Sequence, residues 1–143
     1  MNNIKSLNGV TKEPDQISLW SNSGLPPSKI ILPTRHGIDF ITWTEVLYSK
    51  SDGNYTRIYT SSGKEILANM SISCFEKAVP ENWFVRIHKQ YIINIQHLIR
   101  YEKGDGGSVL LIQDIALPVS RERKKTFLNK LKGGSKCVLG NEN

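Results

Sequence analysis

From about residue 29 to about residue 118, apolar and polar side chains alternate in short runs separated by turn-forming residues, the pattern of half-buried strands. Lys29–Pro33 and Ile38–Ile41 read as the arms of a hairpin around Arg35-His36-Gly37. Thr42-Trp43-Thr44-Glu45 carries a capping signature for a single helical turn. Val46–Ser51, Tyr55–Thr60 and Lys64–Ala68 form a meander of strands, turned at Asp52-Gly53-Asn54 and Ser61-Ser62-Gly63. Ser71–Val79 is predicted helical because Ile72, Phe75 and Val79 share one face and Pro80 stops the run. Phe84–His88 is extended, and Tyr91–Ile95 is ambiguous between strand and helical turn. His97–Lys103 is a strand that a tight connection at Gly104-Asp105-Gly106-Gly107 leads into Val109–Ile112, with Ile115–Pro118 after it. From Ser120 as N-cap, a last helix is predicted to about Leu131 with Phe127, Leu128 and Leu131 on one face.

The pattern therefore predicts a mainly β domain over 29–132, with a few short helices including a C-terminal one. A polar, Ser/Asn/Gly/Pro-rich arm over 1–28 and a short tail over 133–143 flank it. Trp20 is out of place in such an arm, and the sequence leaves open whether it docks on the domain or on a partner.

Composition narrows the class. The 143 residues suit one domain, and 19 Lys+Arg against 13 Asp+Glu leave a formal charge of +6. No window holds the ~18 consecutive apolar residues of a membrane span. Met1–Asp15 lacks the apolar stretch of a secretory signal, so a cytoplasmic protein without a membrane segment is expected. With only Cys74 and Cys137, neither a disulfide framework nor a four-cysteine zinc module is possible. The charge is localised: Lys29–Lys132 holds 16 basic and 10 acidic residues, while the flanks cancel. Ser120–Lys132 alone is +5, through Arg121, Arg123, Lys124, Lys125, Lys130 and Lys132 against Glu122. A solvated helix face accounts for that cluster as well as an anionic partner does.

Catalytic and cofactor chemistry finds no foothold. His36, His88 and His97 lack metal-ligand spacing among themselves and with the cysteines. The glycines at 104–107 precede a strand rather than the helix a phosphate cradle needs. No nucleophile elbow or HExxH pair is present. Cys74 reads as core on an apolar helical face, and Cys137 as a tail residue without activating neighbours. No enzyme and no cofactor is expected.

Two segments place hydrogen-bonding and basic residues where strands end. In Trp83–Asn94, Phe84, Val85 and Ile87 suit a core, while His88, Lys89 and Gln90 mark a turn; Lys reaches guanine acceptors and Gln pairs with adenine. In Leu117–Lys125 a strand runs into a helix start, where Arg121 can fork onto guanine and backbone amides can take phosphate. A surface salt-bridge role fits either segment alone equally well.

Together these segments resemble the LytTR DNA-binding domain. The resemblance rests on Asp52-Gly53-Asn54-Tyr55, then Phe84-Val85-Arg86-Ile87-His88-Lys89-Gln90-Tyr91-Ile92-Ile93-Asn94, then Leu117-Pro118-Val119-Ser120-Arg121, and spans roughly residues 29–131. It implies a largely β fold of short sheets stacked into an elongated body, with loops at one edge that enter successive major grooves of double-stranded DNA, often bending it. It also implies recognition of paired direct repeats, with a second copy on the adjacent repeat. By position it gives Tyr55, Lys89 and Arg121 base-reading or backbone-touching roles, and Asn54, Arg57, His88, Gln90, Ser120 and Arg123 supporting phosphate contacts. Lys124 and Lys125 extend that basic surface. Such domains commonly follow a receiver domain or membrane segment. The arm here is too short for either, so control by abundance, dimer formation or a separate regulatory protein is expected.

The residues also admit plainer roles. Arg86, inside an apolar strand, suits an ion pair better than a DNA contact. His88 suits a hydrogen-bond donor within the turn, Tyr55 a packed ring, and Asn94 a backbone cap. Phe84, Tyr91, Ile92 and Ile93 suit the core. Two other functions compete: a protein-interaction module with a basic edge, and an RNA binder. Tyr55 is the one ring expected at that edge for stacking a single strand, which weighs against RNA.

Overall fold

The computed structural model of the chain describes residues 29–139, with side chains through Lys132. The expected N-terminal arm with Trp20, the last residues of the expected tail, and the side chain of Cys137 lie outside the described residues.

Strands β1 (Lys29–Thr34) and β2 (Gly37–Thr42) form the first hairpin, followed by β3 (Val46–Asp52), β4 (Tyr55–Thr60) and β5 (Glu65–Ala68). Helix α1 (Ile72–Ala78) leads to β6 (Phe84–His88) and β7 (Tyr91–Asn94). Then come β8 (Leu98–Glu102), β9 (Ser108–Leu111), β10 (Ile115–Pro118) and helix α2 (Arg121–Leu139). The fold is mainly β, with three small antiparallel sheets: β1-β2, β5-β4-β3-β7-β6 and β10-β9-β8.

The two faces of the five-stranded sheet bury different partners, as period-two alternation requires. One face sets Ile58, Ile66, Ala68, Phe84 and Ile92 against Ile30, Leu32 and Ile41 of the first hairpin and Ile72, Phe75 and Val79 around α1. The other sets Val85 and Ile93 against Val109, Leu111 and Leu117 of the third sheet and Phe127 of α2. Each fully buried aliphatic or aromatic side chain contributes about 1.5–3 kcal/mol. On this second face Tyr48 and Tyr59 stack with ring centroids 4.4 Å apart. Burial, with Tyr59, Tyr91 and Glu65 nearby, pushes the Tyr48 hydroxyl up to about 12, so it stays neutral.

Local readings are corrected in four places. The turn at Trp43–Glu45 forms, but Thr42 makes no side-chain cap and the turn is a 3-10 turn. The ambiguous Tyr91–Ile95 run is strand through Asn94, and a 3-10 turn at Ile95–His97 displaces the start of β8 to Leu98. Cys74 is half-buried rather than core, because Ile72, Phe75 and Val79 occupy the inward stripe of α1 and position 74 lies beside it. Helix α2 continues to Leu139 instead of ending near Leu131. Ser120 caps as expected, accepting from the backbone N–H of Arg123 (3.3 Å), and Ser71 caps α1 by accepting from the backbone N–H of Cys74 (3.1 Å).

Candidate nucleic-acid interface

Strand register brings the sequence-predicted segments to one end of the fold. In β3 and β4, Lys50 lies opposite Arg57, Ser51 opposite Thr56 and Asp52 opposite Tyr55. The chain then turns through Gly53 and Asn54, with Gly53 at a φ of 64° that favours glycine. On the other side of β3, Lys50 lies opposite Tyr91, and the Ser51 N–H donates to the Gln90 carbonyl at 2.9 Å. The Lys89-Gln90 turn therefore emerges beside the Gly53-Asn54 turn. The Ser120 N–H donates to the Ile87 carbonyl at 2.9 Å, which brings the start of α2 alongside both. Asn54, Lys89, Gln90 and Arg121 are exposed there, and Tyr55 is 45% exposed.

Arg86 shapes the middle turn. Its side chain is only 12% exposed, pairs with Glu76 of α1 at 3.1 Å, and donates to the Lys89 carbonyl at 2.6 Å. The plainer reading of Arg86 holds, and the residue does more than pair: it ties the Lys89 turn to α1. A bulge between Arg86 and His88 re-aims the chain just before that turn. Arg86→Met should cost about 1–3 kcal/mol by leaving the Lys89 carbonyl and Glu76 without their donor. Urea denaturation with amide exchange at Lys89 and Gln90 measures it, and unchanged turn protection would show that the clamp is inert.

His88 is a turn stabiliser, but as acceptor rather than donor: the Gln90 N–H donates to its Nδ1 at 3.1 Å. That contact places any ring proton on Nε2. Arg57 is half-buried and paired with Asp52 at 2.7 Å and Glu65 at 3.5 Å. The hydrogen bond to Asp52 raises its pKa above the ordinary guanidinium value. A phosphate contact by Arg57 would have to compete with those carboxylates. Ser120 is half-buried and its hydroxyl is engaged as the N-cap. On α2, Arg121 and Lys125 are exposed one turn apart on the same face, whereas Arg123 and Lys124 are half-buried. Asn94 is fully buried: its Nδ2 donates to the carbonyls of Val46 (2.9 Å) and Trp43 (3.1 Å), and its Oδ1 accepts from the Gln96 N–H (3.0 Å).

The loop between β8 and β9 belongs to the same end, which the sequence did not suggest. Asp105 pairs with Arg121 at 3.4 Å, both side chains largely in solvent. The Val119 N–H donates to the Gly107 carbonyl at 2.9 Å, and a Cβ on Gly106 would collide with the Val119 carbonyl. The glycines of this loop permit close backbone approach to the start of α2, a need that its hairpin signature alone does not express. An exposed pair such as Asp105–Arg121 is worth little and yields readily to a stronger anion.

The model of the LytTr DNA-binding domain family matches residues 36–132. The chain is 25% identical over 96 residues to the CO-responsive transcriptional regulator RcoM of Rhodospirillum rubrum, covering 65% of this chain and 40% of the relative. It is 26% identical over 120 residues to the heme-containing CO-sensing transcriptional regulator RcoM 1 of Paraburkholderia xenovorans, covering 80% of this chain and 44% of the relative. The chain thus spans less than half the length of these curated relatives. Among solved structures, a LytTr DNA-binding domain from Bacillus cereus shares the fold, with a TM-score of 0.65 at 20% identity, covering 74% of this chain and 98% of that one. The family match over most of the chain, on a fold of the same kind, makes this protein a member of the LytTR DNA-binding domain family.

Proposed function

We propose that this domain binds double-stranded DNA sequence-specifically, as the DNA-reading part of a transcription regulator, and catalyses no reaction. The observation that carries the reading is the exposure of Tyr55, Lys89, Gln90 and Arg121 at one end of a LytTR-family fold. Basic residues there, with Lys125 on the same helix face as Arg121, supply phosphate contacts and hence salt-dependent affinity. Lys89 and Arg121 supply base readout in successive major grooves, with Tyr55 beside them. Asn54, Gln90, Arg123 and Lys124 support the backbone contacts, while Arg57, His88 and Ser120 contribute chiefly by shaping the turns and the helix start. A second copy on an adjacent direct repeat, a separate regulatory protein and a cytoplasmic setting belong to the same reading. No helix among the described residues is long and apolar enough to cross a membrane.

Gel shifts with duplex DNA, single-stranded DNA and RNA at two salt concentrations test it. Tighter, salt-sensitive binding to duplex is expected, and preference for RNA or no nucleic-acid binding would refute it. On a duplex selected from random sequence, Arg121→Ala should cost about 1–3 kcal/mol, and much less on unrelated duplexes. Equal losses on both would make Arg121 a phosphate ligand and remove it from base readout.

A further inference from the structure

The hairpin turn between β1 and β2 reaches the same end of the fold and forms a cleft there. Arg35 and His36 make the two-residue turn between paired Thr34 and Gly37. The His36 N–H donates to the Thr34 hydroxyl at 3.3 Å, and the Asn69 N–H donates to the Pro33 carbonyl at 2.6 Å. Asn69 follows Ala68, which lies opposite Thr56, next to Tyr55. The turn is thus fixed beside the Tyr55 end of β4. Arg35, Tyr55, Leu67 and Asn69 line a cleft of about 380 Å³ between the hairpin and the central sheet.

The lining combines an aromatic ring, an aliphatic side chain, an amide and a guanidinium. The apolar surfaces suit a deoxyribose face, while the amide and guanidinium are donors for phosphate oxygens. Arg57, Arg86, Arg100 and Arg121 each pair with a carboxylate; Arg35 and Arg123 have no such partner among the described residues, and of these two Arg35 is the exposed one. Its guanidinium is therefore available to an anion without first breaking an ion pair.

We propose that this cleft seats the sugar–phosphate backbone of one DNA strand, with Arg35 as phosphate ligand, at the side of the interface remote from α2. This rests on the DNA-binding reading above and extends the footprint to a hairpin turn outside the segments considered so far. A backbone contact carries no base identity, so it acts on every sequence alike.

The test uses the full chain and a mixed-sequence duplex of about 30 base pairs, titrated at about 50 mM and about 200 mM salt. Arg35→Ala should weaken binding about tenfold at the lower salt, and the deficit should shrink roughly threefold at the higher one as one counterion-releasing contact is lost. Arg35→Lys should recover most of the affinity. The ratio of selected-site to mixed-sequence affinity should remain as in the parent chain. Unchanged affinity and salt slope in Arg35→Ala, while Lys89→Ala and Arg121→Ala bind the selected site more weakly, would overturn the cleft and leave the DNA-binding reading standing. A lower site preference in Arg35→Ala would overturn it too, by making Arg35 a base reader. Failure of the parent chain to bind any duplex would overturn both.

Discussion

Replacing Asn94 by alanine is expected to lower the unfolding free energy by about 3–5 kcal/mol, the combined effect of removing the three hydrogen bonds of a buried amide and leaving their backbone partners unsatisfied. The Asn94 side chain is fully buried and bridges the Val46 and Trp43 carbonyls and the Gln96 N–H. It therefore joins the end of β7 to the corner before β3 and to the 3-10 turn after it. Neither alanine nor leucine can replace two donors and an acceptor at once. Urea denaturation would show the midpoint falling with little change in slope. A loss below about 0.5 kcal/mol, the range of ordinary surface substitutions, would mean that these carbonyls find other donors. Paired with a DNA titration, this experiment separates the two roles a motif position can have. A base reader would lose DNA affinity at unchanged stability, whereas Asn94 should lose stability first.

Phe127→Ala should cost a similar amount, about 3–5 kcal/mol, by emptying a fully buried site that the surroundings cannot refill. The ring is 0% exposed, packs 5.9 Å from the Tyr101 ring, and belongs to the cluster of Val85, Ile87, Val109, Leu111, Leu117 and Val119. That cluster holds α2 against the central and third sheets. Amide exchange should show α2 losing protection before the β3–β4 ladder does, because the latter is anchored to the other core. A destabilisation under about 1 kcal/mol would show that the helix is held mainly by its N-terminal bond to Ile87. The consequence for binding is indirect. Arg121 sits six residues before Phe127 on the same helix, so a loosened anchor also loosens the exposed guanidinium.

How much of this was legible depended on how local the cause was. Tyr55–Thr60, Phe84–His88 and Ile115–Pro118 form strands with the bounds their alternation predicts. The Ser120 cap follows because the hydroxyl and the amide it accepts from lie three residues apart. The pairing of Arg86 was legible from its place among apolar residues, but its partner Glu76 and its bond to the Lys89 carbonyl were not. The Cys74 reading was corrected because a helix buries one stripe, and the neighbouring core elements choose which residues at its margin are covered. His88 sits in the turn as its sequence position predicts, but it accepts a hydrogen bond instead of donating one. Imidazole offers both a donor and an acceptor, and only the position of the Gln90 N–H selects one.

The candidate interface divides the same way. The sequence by itself determined its ingredients: turn chemistry at Gly53-Asn54, a polar break at Lys89-Gln90, and a capped, basic helix start at Arg121. Short-range backbone and side-chain preferences settle these, since each cause and its effect lie within a few residues. Only the tertiary structure decided that the turns emerge side by side. That depends on β3 pairing with both β4 and β7, and on the Ser120 N–H reaching Ile87. It also decided which cations are engaged, pairing Arg57 with Asp52 and Arg121 with Asp105, and leaving Arg35 beside Tyr55 in the cleft. The β3–β7 register, the Ser120–Ile87 bond and the placement of Arg35 beside Tyr55 join residues tens of positions apart in the chain, and the free energy that sets them is shared across the whole packed core rather than encoded at any one position.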